Sequence, residues 1–412
     1  VTVTTASCKL PITVTKAVII SLDLVKVVFL DRRAAVVGLV AIIAVLAFVL
    51  ASNPTGWFAL PQQQSAEPVK IGFIVSQTGT QAVGGMESLK GLLLAEKEIN
   101  ALGGINGKNL DIIIEDDKSS EKDAVSAFRK LVDVDGVRIV IGGQISGAAL
   151  AVAPLAEKEK VLFLTTTATA NKLKDAGDYV FMFQAGNEAH AAKISNAMKK
   201  LGFSKIGLVY ANEEYCVDYV NYLKSGIDSK GIAVVAEEKY ETASADARTQ
   251  LLKLNDASPE AFFLCGYYED QGKVLKQARE LGIEKQFFAV TTIENPKFLE
   301  IAGGAAEGII YTSTLFGCEI QKEFCESYEK DFNEKATYRS AYLYDAVFAI
   351  AEALKISGNN PDLLKKGLLK VEFNGVSDQI VFDEKGNTKR EFMLKTVKNG
   401  KFVPFEQANS VQ

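Results

Sequence analysis

A chain of 412 residues exceeds one ordinary hydrophobic core, and 48% hydrophobic against 24% charged residues is the balance of a globular protein. A net charge of −5 with no clustered Lys/Arg surplus argues against nucleic acid, whose phosphates need such a cluster. A single histidine excludes a His-based metal cage, and the five cysteines show no metal-ligand spacing, so no metal is expected.

Residues 1–26 carry no clear pattern, and the first methionine is Met86, so the start of translation is expected near Val27. Residues 34–51 (AAVVGLVAIIAVLAFVLA) hold no charge and no proline; as a helix they span about 27 Å, close to the thickness of a bilayer's hydrocarbon. Lys26, Arg32 and Arg33 precede the run and the next basic residue is Lys70, which places residues 1–33 in the cytoplasm and the rest outside. Trp57 and Phe58 sit where interfacial aromatics would anchor such a helix. A retained transmembrane anchor is the expected reading, and the apolar core of a cleaved signal peptide is the rival. Residues 52–68, with Pro54, Pro61, Pro68 and a Gln run, suit an exposed linker.

From Val69 short apolar runs alternate with amphipathic stretches. Strands are predicted at 69–75, 110–116, 137–143 and 160–166, with helices near 85–101, 120–134 and 146–159. A second set of strands follows at 205–210, 232–240, 260–266, 286–290 and 307–313, with helices near 188–201, 213–229, 244–256 and 267–281. Such alternation means βαβ units and parallel sheets, here one architecture repeated. The remainder, helices near 320–335 and 338–357 and a strand-like QIVFDEKGN, has no sheet of its own and is expected to cross back and complete the two lobes.

His190 reads as a solvated position at the polar start of a helix. Cys265 ends an apolar run, so a buried thiol is expected; Cys318 and Cys325, seven apart, form either a local disulfide or two free thiols.

In open parallel sheets, ligands bind beyond the carboxyl ends of the strands. The loops there contain Ser76-Gln77-Thr78-Gly79-Thr80, Gly142-Gly143-Gln144-Ile145-Ser146-Gly147 and Thr165-Thr166-Thr167-Ala168-Thr169. Each precedes a helix, so hydroxyls and free backbone N–H groups converge on a positive helix end, a place for a carboxylate. Plain helix capping by Ser and Thr is the alternative. Neither GxGxxG nor GxxxxGK[ST] occurs, and no nucleophile–base pair stands out, so no nucleotide cofactor and no enzymatic activity are expected.

Several stretches, KIGFIVSQTGT, EINALGGINGKNLDIIIEDDKSSEKDAV, IVIGGQISGAA, TTTATA, GLVYANEEYCVDY, KVLKQARELGIEKQFFAV, GGAAEGIIYTS and VFDEKGN, resemble, in this order, the branched-chain amino-acid binding proteins of ABC transporters, which have the type I periplasmic-binding fold. The resemblance implies an α/β fold of two doubly wound parallel-sheet lobes joined by a three-stranded hinge, after the transmembrane helix. Lobe 1 would comprise 69–184 and 315–378, lobe 2 would comprise 185–314 and 379–405, with crossings near Gln184, Thr314 and Gly375. It assigns a ligand carboxylate to Ser146, Thr167 and Thr169, and covering rings to Tyr215 and Tyr267. Gln144 and Thr78, in the same loops, and Thr291 complete the expected ligand set.

Two departures bear on the ligand. Where amino-acid-binding members carry an acid for the ligand's ammonium this chain has Thr291, and an unpaired buried ammonium costs several kcal/mol. Glu294, Glu269 and Asp270 are nearby substitutes; otherwise the ligand lacks an amine. The tyrosine often found in the first loop is Gly84 here, leaving room for a larger ligand side chain, and the disulfide of some family members is absent, with Ser119 or Ser120 and Ile145 at its positions. The expected function is capture of a small-molecule ligand, an amino acid or analogue, for a membrane permease by a monomer outside the cytoplasm. The alternative is the ligand-binding ectodomain of a sensory receptor complex.

Overall fold

The computed structural model describes residues 67–406 apart from residues 243 and 359. The apolar stretch at 34–51, the linker before residue 67 and Cys8 lie outside the described residues, among which no helix is long and apolar enough to cross a membrane.

The first sheet is built from β1 (Val69–Val75), α1 (Ala82–Ala101), β2 (Leu110–Asp116), α2 (Glu121–Arg129), β3 (Ile139–Gly142), α3 (Ser146–Glu159), β4 (Leu162–Thr165) and β5 (Val180–Met182). Its strands run in the order β2-β1-β3-β4-β5, all parallel. β3 and β4 are buried along their whole length, which is why IVIG and LFLT read as continuous apolar runs without alternation. α2 and α3 cover one face of this sheet, around Phe128, Leu131 and Phe163.

The second sheet takes the next stretch: α4 (Asn187–Lys200), β6 (Lys205–Ala211), α5 (Glu214–Asp228), β7 (Ala233–Tyr240), α6 (Arg248–Asp256), β8 (Ala261–Cys265), α7 (Tyr268–Glu280), β9 (Gln286–Ala289), α8 (Pro296–Ala302) and β10 (Ile310–Thr314). The chain then returns through α9 (Lys322–Phe332), α10 (Tyr338–Ser357) and α11 (Pro361–Leu368) to the other face of the first sheet, where Tyr328, Tyr342, Leu343 and Leu364 join the core around Phe73 and Leu164. A hairpin of β11 (Glu372–Asn374) and β12 (Gln379–Val381) follows, and β13 (Phe392–Lys398) with β14 (Lys401–Pro404) ends the described chain.

Three features depart from the sequence-based expectation. β5 was not anticipated, because VFM is too short to show a period. The C-terminal part does contribute sheet: β13 and β14 are antiparallel additions, making the second sheet β14-β13-β10-β9-β8-β6-β7 mixed rather than parallel. The third crossing lies beyond Gly375. Ile380 and Phe382 still belong to the first core and Asn387 bridges Met182, so the chain changes sheet between Asn387 and Phe392. Within QIVFDEKGN the strand β12 pairs only with β11, and burial of Ile380 and Phe382 in the first core packs the segment on the first lobe.

Two glycines on one face of α1 permit a close helix crossing. A Cβ on Gly91 would lie 2.0 Å from the carbonyl oxygen of Ser340, so α10 crosses α1 at near-backbone contact. One on Gly84 would lie 3.0 Å from Nε of Arg339. This packing sets the start of α10 over the carboxyl ends of β1 and β3.

Candidate functional site

Both sheets have a topological switch point, where neighbouring strands send their following loops to opposite faces. In the first sheet it lies between β1 and β3, and in the second between β6 and β8. The loops at these points meet in a cleft lined by Gln81, Gln144, Ser146, Thr167, Thr169 and Gln184 from one side. His190, Tyr215, Tyr267, Thr291 and Thr292 face them, and Tyr338 and Arg339 at the start of α10 complete it. The cleft holds roughly 550 Å³ of empty space, counting what opens to solvent.

Ser146, fully buried, is the first helical residue of α3; its Oγ accepts the backbone N–H groups of Thr169 and Ala170, each at 3.3 Å. Thr167 Oγ1 donates to the Gln144 carbonyl at 3.3 Å. The two loops are thus tied together, with hydroxyls and helix-terminal N–H groups at one wall, an arrangement that favours an anion. Opposite, Tyr215 and Tyr267 stack with ring centroids 6.0 Å apart. A disulfide joins Cys216 to Cys265, so the residue after Tyr215 is cross-linked to the residue two before Tyr267. Cys265 is therefore half of a disulfide rather than the expected buried thiol. Cys318 and Cys325 are bonded as well.

Contacts cross the mouth of the cleft. Lys172 pairs with Glu214 at 2.7 Å, the Tyr268 hydroxyl donates to the Thr80 carbonyl at 3.3 Å, and Asn295 Nδ2 donates to Glu87 at 3.4 Å. Deeper in, the Asp218 carboxylate accepts from the Asn171 backbone N–H at 3.0 Å and from Asn187 Nδ2 at 2.8 Å.

Of the residues expected at the site, Ser146, Thr167, Thr169, Tyr215, Tyr267, Thr291 and Gln144 line the cleft, and Thr78 does not. Thr78 is exposed and its hydroxyl donates to Asp116 at 2.7 Å, since the loop after β1 folds onto the end of β2 instead of toward the cavity. The three acids considered as ammonium partners also stand elsewhere. Glu294 is engaged by Ser313 and Lys395. Asp270 lies beneath Tyr267, accepting its N–H at 2.9 Å and the Tyr240 hydroxyl at 2.5 Å. Burial raises the Asp270 carboxyl to about 6. Glu269 does not line the cleft.

His190 corrects a further expectation. It is 3% exposed, its ring lies 3.8 Å from that of Phe392, and its Nδ1 is 3.3 Å from Thr312 Oγ1. Burial depresses the imidazole to about 3, so the ring is neutral, and Nε2 has no protein partner. The polar context Gly186-Asn187-Glu188 suggested solvent, but β13 closes over this turn of α4 through Phe392. Arg339 had no local signal either. Thr337 caps α10 by accepting the Ser340 N–H, which places Arg339 in the first turn, and the tertiary crossing over Gly84 and Gly91 then aims it at the cleft. The room expected above Gly84 is filled by this guanidinium.

Two α/β lobes with switch-point loops facing each other across a cleft define a ligand-capturing binding protein. The family model described as periplasmic binding protein matches residues 68–401, and the chain belongs to that family of non-enzymatic binding proteins. The chain is 26% identical over 330 residues to the leucine-, isoleucine-, valine-, threonine- and alanine-binding protein of Pseudomonas aeruginosa, covering 79% of this chain and 88% of that one. Among solved structures it is similar to the branched-chain amino acid transporter substrate-binding protein of Streptococcus pneumoniae in complex with isoleucine, at 30% identity and TM-score 0.76, covering 82% of this chain and 98% of that chain. A solute-binding protein of Rhodopseudomonas palustris in complex with benzoate shares the fold at 19% identity and TM-score 0.74, over 82% and 95% of the two chains.

Proposed function

We propose that this chain is the substrate-binding protein of an ABC importer, and that the solute it captures is a small carboxylate whose amine, if any, is not held by a protein carboxylate. One observation carries the reading: the cleft is lined by the hydroxyls and helix-terminal N–H groups at Ser146, Thr167 and Thr169, and among the described residues the only charged side chain in its lining is Arg339. A zwitterion buried here would find partners for its carboxylate and none of opposite charge for its ammonium, and such an unpaired charge costs several kcal/mol. The likeness to amino-acid-binding relatives supports the role in transport and the frame of the site; the missing acid supports the narrower choice of solute.

Ligand would favour the state in which Tyr215 and Tyr267 cover it, and a membrane permease would read that closure. Residues 34–51 suit a single membrane anchor with the binding lobes outside the cytoplasm, and their basic flank supports that orientation. Residues 67–406 would then act as a monomer tethered near its permease.

A thermal-shift screen of the purified chain against amino acids, their amides and the matching amine-free carboxylates tests this. A carboxylate at a hundred times its Kd stabilises the fold by about 2.7 kcal/mol, read as a rise in Tm. Shifts with leucine, isoleucine or valine that the amine-free acids fail to match would overturn the choice of solute.

A further inference from the structure

Arg339 combines features that a structural arginine does not need. It sits in the first turn of α10, where the helix already presents its positive end and carries no acidic residue. It is 4% exposed. Its guanidinium lies 4.6 Å from the Tyr338 ring, over the gap left by Gly84, and lines the same cleft as Ser146 and Thr169. Five N–H donors need acceptors, and the hydrogen bond it makes is one from Nη1 to Glu87 at 3.3 Å. Glu87 is shared: it also accepts from Thr337 at 3.2 Å and from Asn295 at 3.4 Å. The cleft that Arg339 lines offers no carboxylate among the described residues, so the donors left without a protein acceptor have their natural acceptor in the solute itself. A branched aliphatic tail placed there would leave them unsatisfied.

We propose that Arg339 is the specificity-determining residue of the cleft, receiving a second acidic group of the ligand besides the one held at Ser146 and Thr169, so that the solutes captured are small dicarboxylates. This rests on the carboxylate reading above and narrows it. The planar fork of the guanidinium suits a carboxylate held by two parallel hydrogen bonds, and the end of α10 adds to the attraction. Glu87 then serves as a positioning residue: it takes one N–H, fixes the plane of the fork and, through Asn295 of the opposite lobe, links that plane to closure of the cleft.

Isothermal titration calorimetry on the full chain would compare α,ω-dicarboxylates of three to six carbons with straight and branched monocarboxylates of the same length. The expected result is that at least one dicarboxylate binds tenfold or more tightly than its matched monocarboxylate. In Arg339→Leu/Glu87→Leu, which removes the pair together and leaves no buried charge behind, that preference should vanish while monocarboxylate binding is kept or strengthened. Arg339→Lys should keep a reduced preference, because the charge remains and the fork does not. Equal binding of both classes by the unaltered chain, or an equal loss for both in the double variant, would overturn the role of Arg339 and leave the carboxylate reading standing. If amino acids bind and no amine-free acid of either class does, the carboxylate reading itself falls, and this inference with it.

Discussion

The two lobes share an architecture and use it differently. In the first, the cleft wall is polar and made of backbone: Ser146 and Thr169 meet at the ends of β3 and β4, held by hydrogen bonds among neighbouring loops. In the second, the wall is aromatic and cross-linked: Tyr215 and Tyr267 stack, and Cys216–Cys265 joins the elements that carry them. The first lobe's own disulfide, Cys318–Cys325, joins residues seven apart and lies away from the cleft. A hydrogen-bonded wall needs only correct strand ends, because the strands dictate where the N–H groups point. Two large rings at the starts of separate helices have no such guide, and a covalent tie restricts them.

The largest test of this contrast is removal of the two cross-links. Closing a loop of 49 residues restricts the unfolded chain by about 4 kcal/mol in the chain-entropy model, and closing one of 7 by about 2 kcal/mol. Cys216→Ala/Cys265→Ala should therefore lower stability in denaturant more than Cys318→Ala/Cys325→Ala, and it alone should also weaken ligand binding. Equal losses of affinity for the two pairs would show that the tie does not organise the tyrosines.

His190 gives a test of the second lobe's buried polar floor. Its folded value, about 3, lies below the ordinary 6.5, so between those values the unfolded chain takes up a proton that the folded chain refuses. Stability is unaffected by this group above pH 6.5 and falls as the pH drops, by about 2 kcal/mol at pH 5. Asp270 acts in the opposite sense, since its raised carboxyl contributes stability that is lost as the pH rises toward 6. Comparing His190→Gln with the unaltered chain cancels that contribution. The variant's Tm should drop less between pH 7 and pH 5, and parallel curves would mean the ring is not held neutral.

In the first lobe, Ser146→Ala should weaken binding of a carboxylate about tenfold, because the Thr169 and Ala170 N–H groups lose the acceptor that orients them. Unchanged affinity in calorimetry would remove Ser146 from the site. The smallest effect belongs to Lys172→Ala, which breaks the exposed pair with Glu214 across the cleft mouth. A slight loss of affinity at low salt that fades at high salt is expected; a large, salt-independent loss would make this pair part of the closing mechanism.

Chain pattern alone determined the alternation of strands and helices in both lobes. β1, β2 and α3 match the predicted limits because their apolar runs are bounded on both sides by polar or glycine-containing residues. It also located the strand-end loops and, together with family likeness, named seven residues that line the cleft. Tertiary structure decided the rest. Whether QIVFDEKGN packs on one lobe or the other depends on which core buries Ile380 and Phe382. That Cys216 meets Cys265 depends on the adjacency of β6 and β8, and that His190 is dry depends on Phe392, two hundred residues away in the chain. Arg339 illustrates the reason. A guanidinium in a helix's first turn looks like any surface charge in sequence, and only the close crossing of α10 over Gly84 and Gly91 turns it into a charged group lining the cleft. Local periodicity encodes which face of an element is buried; it carries no information about which distant element will bury it.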